Sequence, residues 1–218
     1  PSRKEEIDKL YNDLKESKKS QNENYKDDIN RVNKEKADKT NIDFQYSKLY
    51  LYCRQIGRDM YTGERININK LKKYTIDHIY PQSKLYDDSW DNLVLTRADI
   101  NEEVKGDRYP IPYEQINNNS IKNKGFANNE ERIAFFKFLK NNKFITEEKY
   151  NRLTRTGELS DEELFNFVNR QINYTSVVAK ALKELFELKF KGKDVKIRFS
   201  KANIVSKFRS KNKIIKSR

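Results

Sequence analysis

The chain has 218 residues, of which 35% are hydrophobic and 36% are charged, and its formal net charge at pH 7 is +13. This length suits one large domain or a domain with appendages, with apolar residues enough for a core in part of it. No apolar run approaches the roughly 20 residues of a membrane-spanning helix, no secretory signal pattern opens the chain, and the single cysteine, Cys53, excludes an intramolecular disulfide and a cysteine-rich zinc site.

The first sixty residues are predicted to be helical with a polar interruption. Ser2 and Glu5 form a capping box for a first helix, whose apolar stripe is Ile7, Leu10, Tyr11 and Leu14. Residues 15–41 are rich in Lys, Asn, Glu, Asp and Gln, and a weak helix and a mobile linker are equal alternatives there. Residues 44–55 are predicted to form a helix with Cys53 in the core, and residues 61–64 a turn.

The next stretch, residues 74–106, has the pattern strand, loop, strand, helix. Tyr74, Thr75 and Ile76 favour a strand, which ends at Asp77 and His78. A polar loop over residues 82–92 precedes a second strand over residues 93–96. Acidic residues between 97 and 103 then suit the start of a helix.

Candidate chemistry lies where the first strand ends, because the chain's only histidine, His78, follows Asp77 there. Neighbours in a strand point to opposite faces, so a shared site requires fraying, which Pro81 favours. The first turn of the following helix can face this strand end and bring Asn101 near both residues. Carboxylate and carboxamide oxygens suit a hard cation such as Mg²⁺, which leaves the imidazole free to act as a base.

The positive charge predicts a polyanionic partner, with nucleic acid as the leading candidate. Lys105 and Arg108 lie on either side of Gly106, at the C-terminal end of the stretch 74–106. There they either reach backbone phosphates or form a solvated loop. Residues 117–124 are predicted to be loop. Asn128 or Asn129 then caps a helix whose aromatic residues are assigned to the core rather than to base stacking.

The C-terminal third is predicted to be largely helical. Thr146 starts one helix, and Ser160 with Glu163 forms a second capping box. Residues 159–191 contain no glycine or proline, and form one long helix or two that are broken near residues 174–176. Residues 195–199 alternate apolar and charged side chains in a strand pattern, and a lone strand requires a partner.

Taken together, the motifs resemble the HNH nuclease domain of the CRISPR-Cas nine family of RNA-guided DNA endonucleases. The matching segments are Asp77-His78-Ile79-x-Pro81-Gln82-Ser83, Asp91-Asn92-x-Val94-Leu95 and Asn101, with upstream matches at residues 48–52 and 57–61. His78, Asn92 and Asn101 occupy the three positions that name the HNH motif. The resemblance weakens toward the C-terminus but covers most of the chain.

This resemblance implies an α+β fold, mostly helical, in which an HNH ββα-metal core is surrounded by helices with long helical linkers at both ends. It divides the chain into a helical linker from a RuvC-like domain (1–42), the HNH nuclease domain (43–168), a second helical hinge linker (169–190) and the start of the final RuvC-like segment (191–218). The chain is then expected to be a fragment of a larger protein.

The resemblance also implies a mechanism and partners. His78, Asn92 and Asn101 are the catalytic residues, Asp77 and Asn101 hold Mg²⁺ or a substituting Mn²⁺, and Asn92 ties the loop to the strand rather than touching metal. The substrate is the DNA strand paired with the guide RNA. The expected partners are the guide RNA–target DNA heteroduplex, the remaining domains of the effector and an anti-CRISPR inhibitor, in the bacterial cytoplasm.

Two alternatives remain open at this point. A stand-alone HNH homing or restriction endonuclease shares the catalytic residues but needs its own sequence-reading module, and none is visible in 218 residues. A non-catalytic nucleic-acid-binding fragment is the other, against which the intact Asp77, His78 and Asn101 argue. Without the resemblance, the residues predict only a metal-dependent hydrolase that acts on a polyanion.

Overall fold

The computed structural model describes residues 2–16, 24–38, 46–121, 124–193 and 195. The chain divides into two compact units, Pro1–Glu158 and Leu159–Arg218. The first unit combines helices with a two-stranded antiparallel sheet, the one sheet found in the described ranges. This confirms the predicted α+β, mostly helical class. None of the helices described here is both long and apolar enough to cross a membrane.

Two helices open the first unit, α1 over Arg3–Glu16 and α2 over Lys26–Asp38. The predicted capping box is present, since the Ser2 N–H donates to Glu5 Oε2 at 2.8 Å and Ser2 Oγ accepts from the Glu5 N–H at 3.3 Å. Two alternatives, a weak helix and a mobile linker, were open for residues 15–41, and the helix is the one observed over residues 26–38. Ile29 and Val32 are buried there, so packing of a narrow apolar stripe stabilises a helix that composition alone leaves marginal.

Helix α3 covers Ser47–Arg54, within the predicted range of residues 44–55, whose first two residues lie outside the described part. Cys53 is buried as predicted, and its carbonyl accepts a hydrogen bond from the Tyr11 hydroxyl at 2.8 Å. A turn over residues 59–63 and a 3₁₀ helix over Ile68–Lys73 then lead into the sheet.

The sheet consists of β1, Tyr74–His78, and β2, Leu93–Arg97. The strands are antiparallel, with Tyr74 opposite Arg97 and His78 opposite Leu93. Pairing therefore runs through His78, and the predicted fraying is wrong. The ladder is extended beyond β1 by a hydrogen bond from the Ile79 N–H to the Asn92 carbonyl at 2.8 Å. Asp77 and His78 consequently point to opposite faces of the strand.

The helix predicted after β2 is present as a π-helix over Ile100–Lys105. Its wide turn is shown by a hydrogen bond from the Gly106 N–H back to the Asn101 carbonyl, at 2.7 Å. Gly106 ends the helix with φ +49°, a conformation that glycine adopts without strain. π-helical turns are rare and recur at functional sites.

Three further helices complete the first unit: α4 over Tyr113–Asn119, α5 over Asn129–Asn141 and α6 over Glu147–Thr154. Helix α4 corrects the prediction that residues 117–124 are loop for residues 117–119 only, because its buried Ile116 anchors a short helix, whereas residues 120, 121 and 124 are outside any helix. Asn128 caps α5 and Thr146 caps α6, as predicted. The core assignment of the α5 aromatic residues is confirmed by the burial of Phe135, Phe136 and Phe138.

The second unit contains α7, Asp161–Lys189, which begins with the predicted Ser160–Glu163 capping box. The helix is continuous, so of the two alternatives the single long helix is the one observed. Several of its apolar side chains are exposed, including Phe165 at 65% and Leu188 at 70%. The predicted strand over residues 195–199 lies outside the described residues except for Val195, which is not in a strand.

Candidate active site

The imidazole of His78 lies at the end of β1 and is 20% exposed. Its Nε2 is 2.8 Å from Oδ1 of Asp88, and the Gln82 amide donates to the same carboxylate oxygen at 3.0 Å. The hydrogen bond with His78 is the main cause of the lowered pKa of Asp88, so that carboxylate is ionised and can only accept. Beside this carboxylate Nε2 is the donor, and in the neutral imidazole Nδ1 then keeps the lone pair. The Gln82 amide nitrogen also lies 3.1 Å from Nε2.

Asp77 faces the other side of β1 and is almost fully buried. Its Oδ2 accepts a hydrogen bond from the Tyr61 hydroxyl at 2.6 Å and lies 3.1 Å from Nζ of Lys105. Burial raises the pKa of Asp77, and the Lys105 ammonium and the Tyr61 hydroxyl oppose that rise. Burial likewise lowers the pKa of Lys105, against the attraction of Asp77. The mutual contact is what compensates two desolvated charges.

Lys105 links the π-helix to β1. Its side chain is fully buried, and Nζ also donates to the His78 carbonyl at 2.5 Å. The sequence predicts a phosphate contact for this residue, whereas the structure places the ammonium inside the protein. Such a contact stays a prediction that requires the ammonium to leave Asp77. Arg108, the other predicted phosphate contact, is exposed, and its Nε donates to the Lys105 carbonyl at 3.3 Å.

Asn101 lies in the first turn of the same π-helix, four residues before Lys105. It is half-buried, and its carboxamide makes no hydrogen bond to any residue in the described ranges. Lys105 makes the hydrogen bonds that join this helix to the end of β1. The convergence of Asn101 with Asp77 and His78 stays a prediction.

Asn92 holds the loop between the two strands. Its Oδ1 accepts from the Tyr80 N–H at 2.8 Å, and its Nδ2 donates to the carbonyls of Tyr80 at 3.1 Å and Asp87 at 2.9 Å. The residue is fully buried, so these three hydrogen bonds satisfy a carboxamide that water cannot reach. Asp88 follows Asp87 directly. Asn92 thus fixes the loop that carries the partner of His78, which makes it a positioning residue.

Helix α6 supports the same loop from behind. Arg152 donates to Oδ2 of Asp87 at 2.6 Å, and both side chains are almost fully buried. Lys149 donates to the Trp90 carbonyl at 2.9 Å, and burial lowers its pKa to about 7. The loop therefore has fixed anchors on both sides of Asp88.

Two functional contacts are missing from the sequence-based interpretation. Tyr61 is predicted only as part of a turn, and Asp88 only as part of a polar loop. Neither lies in a periodic pattern, and both meet their partners through tertiary folding, across 16 and 10 residues of sequence respectively. The upstream match at residues 57–61 is the one signal that could have drawn attention to Tyr61.

Comparison with known families supports the motif assignment. The family model described as "HNH endonuclease" matches residues 59–111, a range that includes Asp77, His78, Asn92, Asn101, Lys105 and Arg108. It also includes Tyr61 and Asp88, the two residues that the sequence pattern leaves unassigned.

Relatives of known identity extend the match over most of the chain. The CRISPR-associated endonuclease Cas9 of Streptococcus mutans is 32% identical over 189 residues, and that of Listeria innocua is 33% identical over 189 residues. Each match covers 82% of this chain and 13% of the relative, so the chain spans about an eighth of the length of these proteins. The crystal structure of Streptococcus thermophilus Cas9 in complex with AGGA PAM aligns with a TM-score of 0.46 and 24% identity, over 93% of this chain and 21% of that one. The chain belongs to the HNH endonuclease family and corresponds to the HNH nuclease region of CRISPR-associated endonucleases of the Cas9 type.

Proposed function

We propose that this chain is the catalytic HNH domain of an RNA-guided DNA endonuclease and that it uses Mg²⁺ to hydrolyse the DNA strand paired with the guide RNA. Membership of the HNH family supplies the reaction class. The observation that carries the proposal is the arrangement of His78, whose partly exposed imidazole is held through Nε2 by Asp88.

His78 acts as the general base. Because Nε2–H donates to Asp88, Nδ1 can accept a proton from a water molecule as the water oxygen attacks phosphorus in line with the leaving 3′ oxygen. The imidazolium that forms is stabilised by the ionised carboxylate of Asp88. Asp88 is thus a positioning residue that selects the tautomer and favours the charged product of proton transfer.

Asp77 and Asn101 would hold the metal ion. A carboxylate and a carboxamide oxygen are hard donors of the kind that Mg²⁺ takes, and Mn²⁺ takes the same ligands. The two shorter side-chain contacts of Asp77 fall on Oδ2, while Oδ1 lies 3.5 Å from Nζ of Lys105. The chemistry of these donors suits the ion, with further ligands left to phosphate oxygens and water. Their convergence with His78 is part of the proposal, and it requires Asp77 to leave Lys105 and to turn from the opposite face of β1. When bound, Mg²⁺ would neutralise charge that develops on the phosphate.

The remaining contacts keep these groups in place. Tyr61 and Lys105 favour the ionised form of Asp77 in a buried setting. Asn92 holds the loop that presents Asp88. The assignment of Asn92 to the catalytic set thus becomes a positioning role, as the family resemblance implies.

The proposed partners follow from charge and family. A net charge of +13 suits the guide RNA–target DNA heteroduplex, with Arg108 as an exposed phosphate contact. The remaining domains of the effector, including the RuvC-like domain, would flank the chain through linkers at residues 1–42 and 169–190 and a strand segment at 191–218. The setting would be the bacterial cytoplasm, where an anti-CRISPR protein could inhibit the enzyme.

A strand-resolved cleavage assay tests the proposal. In the full-length protein with guide RNA, His78→Ala should abolish cutting of the paired strand and leave cutting of the displaced strand unchanged. Ser83→Ala is the matched control, because Ser83 is exposed in the loop between β1 and β2. Duplexes with separately labelled ends report the two strands. Loss of displaced-strand cutting with the paired strand still cut would overturn the assignment.

The same assay separates the two alternatives. A stand-alone homing or restriction endonuclease would cleave without guide RNA, and a non-catalytic fragment would leave the paired strand uncut by the wild-type protein in the presence of Mg²⁺.

A further inference from the structure

A groove of about 660 Å³ lies at the other end of the β1–β2 hairpin from His78. Four cationic residues and one acidic residue are among those that line it: Arg58, Arg65, Lys70, Lys124 and Glu64. We refer to this feature as the basic groove. The catalytic mechanism uses none of its residues.

The negative charge around the basic groove is already neutralised. Both carboxylate oxygens of Glu64 accept from Arg97, at 3.0 and 3.1 Å, and Oε1 also accepts from the Ile121 N–H at 2.7 Å. Asp28, the partner of Arg58 and Arg65 at 2.7 Å each, is fully buried. Neither carboxylate is therefore free to repel an anion in the groove.

The positive charge of the basic groove remains open to solvent. Lys70 and Lys124 are exposed, and neither forms an ion pair within the described ranges. The side chain of Arg65 is 54% exposed even while it contacts Asp28. Like charges gathered in one groove repel each other unless an anion neutralises them, which makes the groove a site for an anionic ligand.

The position of the basic groove identifies the anion. Tyr74, which lines the groove, begins β1, and His78 ends it. Four residues of strand, at about 3.4 Å each, put the groove roughly 14 Å from the catalytic end. This distance corresponds to a few nucleotides along a DNA strand. A strand with its scissile phosphate at His78 would present neighbouring phosphates at the groove.

We propose that the basic groove binds backbone phosphates of the same DNA strand that is cut at His78, a few nucleotides from the scissile bond. This inference rests on the proposed function, since it takes the strand at His78 to be the substrate. Lysine is a point-charge contact for phosphate, so the groove positions the strand without reading its sequence.

Salt-dependent binding of the 218-residue chain to a labelled DNA duplex tests the groove itself. The double substitution Lys70→Gln and Lys124→Gln should reduce the slope of log K against log salt by about 1.8, at about 0.9 per lost contact. When salt is raised from 50 to 200 mM, the factor by which affinity falls should therefore be about 12-fold smaller for the variant than for the wild type. Fluorescence anisotropy at several salt concentrations measures this.

Lys9→Gln with Lys137→Gln is the matched control. Both residues are exposed, neither lines the basic groove, and the change in net charge is identical. A groove variant whose slope equals that of this control would overturn the proposal, because bulk charge alone would then explain the binding.

Crosslinking locates the bound strand. Lys70→Cys introduces a reactive thiol at the groove, whereas burial raises the pKa of Cys53 to about 12 and leaves it unreactive. With a photocrosslinker at position 70 of the guided full-length protein, crosslinks should fall on the cut strand, a few nucleotides from the cut. Crosslinks on the guide RNA or the displaced strand would overturn the proposal.

Failure of the groove and failure of the proposed function give different results. If His78→Ala removes paired-strand cutting while the groove variant binds like its control, only the groove is wrong. If the groove variant changes the salt slope while His78→Ala leaves cutting intact, the groove binds phosphate but His78 is not the catalytic base.

Discussion

At the His78 end of the hairpin, two of the groups assigned to catalysis have partners inside the protein: Asp77 is paired with Lys105, and His78 is hydrogen-bonded to Asp88. The Tyr74 end differs, because the exposed Lys70 is left without an ion pair among the described residues. This difference indicates how the two ends of the hairpin can bind one substrate. Internal pairing fixes groups that must act on a reacting phosphate, whereas unpaired cations at the surface hold phosphates that do not react.

This comparison predicts a division of effects. Changes at the His78 end should lower the rate of cleavage with little effect on DNA binding. Changes at the basic groove should weaken binding with little effect on the rate of the bound complex. Five substitutions test or sharpen the contrast.

The largest effect is expected from His78→Ala. Loss of the general base should reduce single-turnover cleavage of the paired strand by about 10²–10⁴-fold and leave DNA affinity unchanged. Quench-flow kinetics with end-labelled DNA measures the rate, and anisotropy measures the affinity. Residual cleavage within about tenfold of wild type would mean that His78 is not the base.

Lys105→Met should show that the ion pair stabilises the fold. The substitution leaves the buried carboxylate of Asp77 without its cation, and removal of one partner of a buried pair costs about 3–5 kcal/mol in the free energy of unfolding. Urea unfolding monitored by circular dichroism measures it. Arg108→Met is the control, since Arg108 is exposed and should change stability by less than about 0.5 kcal/mol. Equal effects of the two variants would contradict the pairing.

Asn101→Ala addresses the metal. Loss of a carboxamide ligand should raise the Mg²⁺ concentration for half-maximal cleavage by at least about tenfold, because even loss of an outer-sphere partner costs 10–100-fold in metal affinity. Electron paramagnetic resonance with Mn²⁺ measures binding without catalysis. Glu102→Ala, a change at an exposed position of the same π-helix, is the control. Unchanged Mn²⁺ affinity in Asn101→Ala would remove Asn101 from the ligand set.

Asp88→Asn should have a smaller effect, of about tenfold on the rate, because Asp88 is half-exposed and water can replace part of its contact. The chain contains one histidine, so ¹⁵N-histidine NMR reports a single imidazole. We expect the Nε2–H tautomer in the wild type and a mixture in Asp88→Asn, with the wild-type tautomer kept in Asp88→Glu. A wild-type spectrum of the Nδ1–H tautomer would contradict the proposed base.

An effect on stability alone, at most about 1.4 kcal/mol per pH unit, is expected from Asp59 near the groove end. Burial raises the pKa of Asp59 to about 6, although its carboxylate accepts from the backbone N–H groups of Tyr61, Thr62 and Arg97 and from the Thr96 hydroxyl. The native state therefore binds a proton between about pH 4 and 6 that the unfolded state has released. Its contribution to stability is full below about pH 4 and is lost as pH rises through 6.

Urea unfolding of the wild type and Asp59→Asn from pH 4 to 7 measures this dependence. The difference in unfolding free energy between the two proteins should change in favour of the wild type as the pH falls. A difference that is constant with pH would mean that Asp59 stays ionised throughout.

Local signals account for what could be predicted. The capping boxes at Ser2 and Ser160 and the caps at Asn128 and Thr146 are made within one helical turn, so their residue types are sufficient to place them. The two strands and the helix after them follow from local periodicity in the same way. The positions of Asp77, His78 and Asn101 on these elements were correctly predicted for the same reason.

Other features depended on contacts that the chain makes only when folded. Helix α2 forms because its apolar stripe, Ile29 and Val32, is buried. Helix α4 forms because Ile116 is buried. The predicted fraying at Pro81 is wrong because the Asn92 carbonyl extends the ladder beyond His78.

The sequence by itself determined the family, the helix caps and the strand that carries His78, since motif spacing and hydrogen bonds within a turn are local properties. The tertiary structure alone decided that Lys105 is buried against Asp77 rather than exposed to phosphate, and that Asp88 is the hydrogen-bond partner of His78. It also decided which lysines remain unpaired at the basic groove. These outcomes depend on desolvation and on partners distant in sequence, because a charged side chain is buried only where folding supplies its counter-charge.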